Sequence, residues 1–218
     1  MKLLLTSAGI TNKSLAGALL ELIGKPFEES SIVFIPTAAN VEKGDKGWFI
    51  DNLVQLKQLN FKQIDIADIS AVPVSVWKPK LEEANVIFFE GGNTYHLMEQ
   101  INKSGLANFL PELLINRVYV GVSAGSMVTS PNLGLSISQT IYGDDLDRTK
   151  DMDGLKYVDF YFLPHLNSEY FVNLRKKNIE EVINGMTTKV YALDDASGLK
   201  IIDGKIEVIT EGEYLEFN

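Results

Sequence analysis

Short apolar runs alternate along this chain with longer stretches in which apolar positions recur at helical spacing. Lys2–Ser7, Ser31–Pro36, Asn85–Phe89 and Val118–Val122 read as buried strands, and Phe61–Ile66 as a further one. Asn12 caps a helix running to about Ile23. Lys46–Asn60 carries Phe49, Leu53 and Leu56, with Ile50 and Val54, on one apolar face. Another helix follows Asn93 or Thr94, and Leu106–Asn116 forms the next. This alternation predicts an α/β fold with a mainly parallel sheet covered on both faces. Residues 68–80 hold prolines and read as a connection. Residues 129–157, rich in Gly, Asp, Ser and Thr, predict a long irregular excursion acting as a mobile flap or wall over a site. Asp159–Leu163 then returns as a strand and residues 169–184 as a charged helix. Lys189–Ala192, Leu199–Ile202 and Lys205–Ile209 follow as strands with a turn at Asp203-Gly204.

Composition narrows the function classes. A chain of 218 residues without an internal repeat or linker is expected to form one domain, 1–218. The net charge of −9 repels a polyanion, which argues against nucleic acid as a partner. With no cysteine there is no thiol catalysis, disulfide or thiolate metal site. The two histidines are too few and too widely separated to suggest zinc, so no metal or cofactor is expected. Met1–Ser7 has too short an apolar run for a signal peptide, and no stretch is long enough to span a bilayer. The expectation is a soluble, cytoplasmic protein with no membrane partner. Its oligomeric state is left open, a homodimer included.

The chemistry concentrates at Gly121-Val122-Ser123-Ala124-Gly125, a G-x-S-x-G pattern directly after a strand. Such a pattern sets a serine on a sharp strand-to-helix turn with its hydroxyl exposed. A serine needs a base to become nucleophilic, and the base is usually histidine. His96 lies within a helix, where a histidine is ordinarily a surface residue. His165 directly follows a strand, where sites of open α/β sheets assemble, and is the preferred base. An acid must orient it. Asp144, Asp145, Asp147, Asp151 and Asp153 lie between the two, Asp194 and Asp195 lie beyond, and Glu169 is close in sequence to His165. Glu90-Gly91-Gly92-Asn93 opens a helix after a buried strand, so Gly92 and Ala124 can offer N–H groups to an oxyanion. No phosphate-binding glycine pattern is present.

Phe89-Glu90-Gly91-Gly92-Asn93-Thr94, Gly121 to Ser126, Pro164-His165 and Asp194 to Leu199, in this order, resemble the peptidase E family of serine peptidases, which includes the cyanophycinases. The similarity runs nearly the whole chain. It implies a class I glutamine amidotransferase-like three-layer sandwich, with Ser123 as nucleophile, His165 as base, and Gly92 and Ala124 as oxyanion donors. In peptidase E the third triad member is an acid shortly after the elbow helix. The matching stretch here, Ser136-Ile137-Ser138-Gln139, holds no carboxylate, and Tyr142-Gly143-Asp144-Asp145 beyond it resembles the acidic stretch of cyanophycinase-like relatives. The resemblance therefore points to Asp144, with Asp145 beside it. Peptidase E cleaves dipeptides with an N-terminal aspartate, which calls for a cation such as Arg148 or Arg175. Asn93 and Arg175 are the expected substrate contacts. The expected activity is serine-type hydrolysis of a small peptide, most simply a dipeptide. An esterase or isoaspartyl hydrolase on the same machinery, and a non-catalytic binding module of the same fold, are the alternatives.

Overall fold

The computed structural model describes residues 1–218. Strands β1 (Lys2–Thr6), β2 (Ser31–Ile35), β3 (Gln63–Ile66), β4 (Val86–Phe89) and β5 (Val118–Val122) run parallel in the order β3-β2-β4-β5-β1. The chain then leaves this sheet. Strands β6 (Phe160–Leu163) and β7 (Lys189–Leu193) pair in parallel as the start of a small second sheet. Strands β8 (Ser197–Ile202) and β9 (Lys205–Thr210) return to the first sheet, antiparallel beside β1. Finally β10 (Tyr214–Phe217), which the sequence pattern does not anticipate, pairs antiparallel with β7.

Successive side chains of a strand point to opposite faces, so the continuous apolar runs must be covered on both sides. Leu4, Phe34, Phe88 and Val120 pack against Leu15, Leu19 and Leu22 of α1 (Lys13–Ile23). The one-turn α2 (Thr37–Asn40) follows β2, and Leu56 of α3 (Gly47–Gln58) joins the same core. On α3 only Phe49, Leu53 and Leu56 meet this core, while Ile50 and Val54 are exposed. The opposite face buries Leu5, Ile35, Phe89 and Tyr119 against α4 (Val74–Glu83), α5 (Thr94–Lys103) and α6 (Leu106–Leu113). Phe160, Phe162, Tyr191 and Leu193 of the small sheet seal that second core. The result is the expected α/β architecture, a mostly parallel central sheet between helices.

Helix α4 occupies residues read as a connection. Pro79 removes one helical hydrogen bond, but Trp77 and Leu81, one turn apart and fully buried, anchor the helix to the sheet. Residues 129–157 are irregular as expected, apart from α7 (Ala124–Met127) before them, α8 (Leu135–Ile137) and a π-turn at Ser138–Tyr142. They pack against the rest of the fold. Leu133, Ile137 and Ile141 are buried, and the Leu155 and Tyr157 N–H groups donate to the Val128 and Thr129 carbonyls at 2.7 and 2.9 Å. The charged stretch 169–184 is helical only over α9 (Lys176–Val182). Ahead of it, the Arg175 guanidinium donates to the carbonyls of Ser168, Phe171 and Leu174 and fixes a loop. No helix is long and apolar enough to cross a membrane.

The topology gathers one set of loops. Because β5 lies between β4 and β1, the loops leaving all three emerge together at the carboxyl edge, where ligands of open α/β sheets bind. Strand β8 runs against β1, so its start, Gly198 opposite Thr6, arrives at the same edge. In the small sheet Leu163 lies opposite Ala192, which places the residues after β6 and β7 side by side.

Candidate active site

Ser123 sits at the end of β5 with φ 47° and ψ −108°, a backbone conformation that a side-chain-bearing residue rarely adopts. The surrounding structure holds it there. Its N–H donates to the Thr6 carbonyl at 3.0 Å, and the Ser126 hydroxyl donates to the same oxygen at 2.9 Å. The flanking glycines are required by contact: a Cβ on Gly121 would lie 2.5 Å from the Gly125 carbonyl oxygen, and one on Gly125 2.2 Å from that of Phe89. The turn thus wedges α7 against β4 and leaves the Ser123 hydroxyl facing the sheet edge.

His165 comes to it from the small sheet. Its Nε2 lies 3.0 Å from Ser123 Oγ, and its Nδ1 lies 2.6 Å from Asp195 Oδ1. The carboxylate accepts, so Nδ1 carries the proton and Nε2 is free to accept from the serine. The imidazole is mostly covered, whereas the Asp195 side chain keeps 48% of its surface exposed. Partial burial opposes ionisation of Asp195. The hydrogen bond and attraction of His165, with a further bond from Ser7, outweigh it and hold the carboxyl below its ordinary range.

Asp144, the expected acid, is not the carboxylate bonded to His165. The Nδ1 position belongs to Asp195, and Asp144 makes no side-chain hydrogen bond to His165. Burial, then the neighbouring charges of Asp145 and Glu42, push the Asp144 carboxyl up. Asp145 is spent on the Ser138 hydroxyl at 2.8 Å and on Arg148 at 3.3 Å. Asp194 shapes the β7–β8 turn through Ser197 and the Ala196 and Glu213 N–H groups. The physical reason is topological: parallel pairing of β6 with β7 sets the residues after each strand in contact, whatever their order along the chain.

Ser7, fully buried just after β1, is the participant that sequence reasoning missed. Its hydroxyl accepts the His165 N–H at 2.7 Å and donates to Asp195 Oδ1 at 2.7 Å. One side chain thereby fixes the backbone of the histidine, which holds φ 69°, and the carboxylate that faces its ring. A serine in the opening Leu-Leu-Leu-Thr-Ser run carries no local signal for this. Only its place at the end of a central strand hints at it. Phe171 stacks on the other side of the imidazole, with centroids 4.6 Å apart and planes at 13°.

Gly91 is close enough to Ser123 that a Cβ on it would lie 3.2 Å from the serine Cβ. Gly92 follows with φ 128°, and the turns and caps leave its N–H without an acceptor, as they do that of Ala124 at the start of α7. The remaining expected contacts are partly committed elsewhere. Asn93 Oδ1 caps α5 by accepting the His96 N–H at 2.8 Å, which leaves only its NH2 group for a substrate. Arg175 is occupied by three carbonyls. Arg148 binds Glu99 at 2.8 Å and lies over the Tyr95 ring. His96 stays on α5 and joins no part of the serine cluster. A polar groove at the opposite, amino ends of β2 to β4, lined by Lys25, Lys62, Asp65 and Lys80, brings no nucleophile next to a base.

Solved structures place this architecture in a known class. A candidate peptidase E of Listeria monocytogenes superposes with a TM-score of 0.79 at 24% identity, covering 97% of this chain and 98% of that one. A peptidase from an acI-B1 Actinobacterium gives 0.70 at 18% identity, covering 99% and 96%. The fold is that of class I glutamine amidotransferase-like proteins. Within that class the chain belongs to peptidase family S51, whose model matches residues 3–209, and it is a serine-type peptidase. An uncharacterized peptidase of Pasteurella multocida is 31% identical over 157 residues, 70% of this chain and 73% of that protein. Another from Listeria monocytogenes is 29% identical over 191 residues, 83% of this chain and 85% of that protein. Peptidase E of a Shewanella strain is 28% identical over 137 residues, 62% of this chain and 53% of that protein.

Proposed function

We propose that this protein hydrolyses small peptides through Ser123, His165 and Asp195. The observation that carries the reading is the unbroken chain from Ser123 Oγ to His165 Nε2 at 3.0 Å and from His165 Nδ1 to Asp195 at 2.6 Å. His165 takes the hydroxyl proton as Ser123 attacks the scissile carbonyl, and the Gly92 and Ala124 N–H groups receive the developing oxyanion. The imidazolium, balanced by Asp195, returns the proton to the leaving amine. Water, deprotonated by the same histidine, then releases the acyl group and regenerates the serine.

A dipeptide is the substrate that this reading favours, and its N-terminal residue need not be aspartate. The two arginines in a position to be considered for an acidic side chain are both engaged, Arg148 with carboxylates and Arg175 with carbonyls. Labelling with a fluorophosphonate serine reagent, with and without Ser123→Ala, tests the nucleophile: modification that persists in the variant overturns the assignment. A dipeptide panel varied at the first residue tests the substrate. Cleavage confined to aspartyl dipeptides would refute the broader specificity, and turnover of esters alone would favour an esterase.

A further inference from the structure

Behind the Gly91-Gly92 turn lies a buried acid that the triad does not use. Glu90 directly follows β4, with none of its surface exposed. Its Oε1 accepts the Gly91 N–H at 2.8 Å and the Asn52 Nδ2 donor of α3 at 2.9 Å. Its Oε2 has no donor, and neither do two buried oxygens of α3, Asn52 Oδ1 and Gln55 Oε1. The last two crowd the β1–α1 loop, where a Cβ on Gly9 would lie 2.2 Å from Asn52 Oδ1 and 3.3 Å from Gln55 Oε1. An isolated carboxylate among acceptor oxygens is far costlier than a buried neutral acid.

We propose that Glu90 is a positioning residue that works as a neutral acid, its Oε2–H donating to the orphan Asn52 Oδ1 of α3 while Oε1 holds the Gly91 N–H and so sets the Gly91-Gly92 turn beside Ser123. The acid proton supplies the donor that Asn52 Oδ1 lacks, and acid and amide then clasp each other through both of their ends. Burial pushes the Glu90 carboxyl up to about 8, against the pull of the Gly91 and Asn52 hydrogen bonds. The polar groups bonded to it are the Asn52 amide from α3 and the Gly91 N–H. No charged side chain acts on it from any element packed around it. The consequence for catalysis rests on Ser123 being the nucleophile: above neutral pH, ionisation of Glu90 removes the clasp and loosens the turn that carries Gly92.

Glutamine reproduces the clasp, because its Nε2 donates where the acid proton did. Glu90→Gln is therefore expected to keep kcat within about threefold of wild type and to lack the decline in kcat expected of wild type as pH rises through about 8. Glu90→Ala leaves the Gly91 N–H unpaired and is expected to lower kcat at least tenfold with KM little changed. Two readouts do not depend on catalysis. Infrared spectroscopy of wild type at pH 7 should show a protonated-carboxyl band that is absent from Glu90→Gln. A raised carboxyl pKa stabilises the fold most below its unfolded value and loses that contribution as pH rises through the folded one, so the Tm of wild type should fall relative to Glu90→Gln between about pH 5 and 8. Absence of the band, or a Glu90→Gln loss as large as that of Glu90→Ala, overturns the proposal. A Ser123→Ala variant that stays active would overturn the serine reading alone and leave the infrared and Tm results standing.

Discussion

The Phe171 ring lies flat against the His165 imidazole, 4.6 Å between centroids and 13° from parallel. Tyr142 meets Phe171 edge-on at 5.7 Å, and its hydroxyl donates to the Pro164 carbonyl at 3.1 Å. The histidine is thus clamped from one side by an aromatic pair that also fixes the residue before it. Phe171→Ala should free the ring and admit water, lowering kcat by about tenfold, or ~1.4 kcal/mol of barrier, with little change in KM. Steady-state kinetics check this, and a purely KM effect would show that Phe171 contacts substrate instead.

Ser123→Ala and His165→Ala should each cost about a thousandfold or more in kcat, and the double variant should cost little beyond either. Additive losses would mean that the two side chains do not act as a unit. His96→Ala should leave kcat within about twofold, since that residue stays apart from the serine cluster on α5.

The acid is separated by comparing Asp195→Asn with Asp144→Asn. The first should cut kcat steeply, because an amide can hold the imidazole in the wrong tautomer, and the second should leave it nearly unchanged. Stability gives an independent check. A carboxyl held below its unfolded pKa stabilises the fold above about pH 3.9 and loses that contribution as pH falls through the folded value. The Tm gap between wild type and Asp195→Asn should therefore shrink in acid, and a gap constant with pH would remove the link to ionisation.

Ser7→Ala removes the one hydroxyl that joins the His165 N–H to Asp195. It leaves a buried N–H unpaired, a cost of about 1–3 kcal/mol in stability. A fall in kcat should accompany it, and Ser7→Thr should restore part of both. Calorimetry and kinetics on the pair of variants test this, and full activity in Ser7→Ala would confine the residue to a role in folding.

Much of the sheet was legible because β1, β2, β4 and β5 are short apolar runs bounded by turn residues, a local signal. The serine turn was legible for the same reason, since two glycines around Ser123 answer to contacts within a few residues. Helix α4 was hidden because Pro79 breaks the local pattern while the compensation, burial of Trp77 and Leu81, is tertiary. Ser7 was illegible, and Asp195 only one candidate acid among several, on stronger grounds. Each earns its place from strand pairing between distant segments, β6 with β7 and β1 with β8. An acid chosen by chain order between Ser123 and His165 had no access to that information.

The groups proposed to react are divided across a seam. Ser123 ends a strand of the large sheet, His165 follows one of the small sheet, and Asp195 occupies the crossing from β7 to β8. Catalytic competence therefore reports on how the two sheets dock, much as a split switch conducts only when its halves meet. A local opening of the small sheet would part histidine from serine while most helices and the central core stayed intact. Mild denaturant should silence such an enzyme before its helical circular dichroism changes, and an inhibitor touching both sides of the seam should fasten it shut.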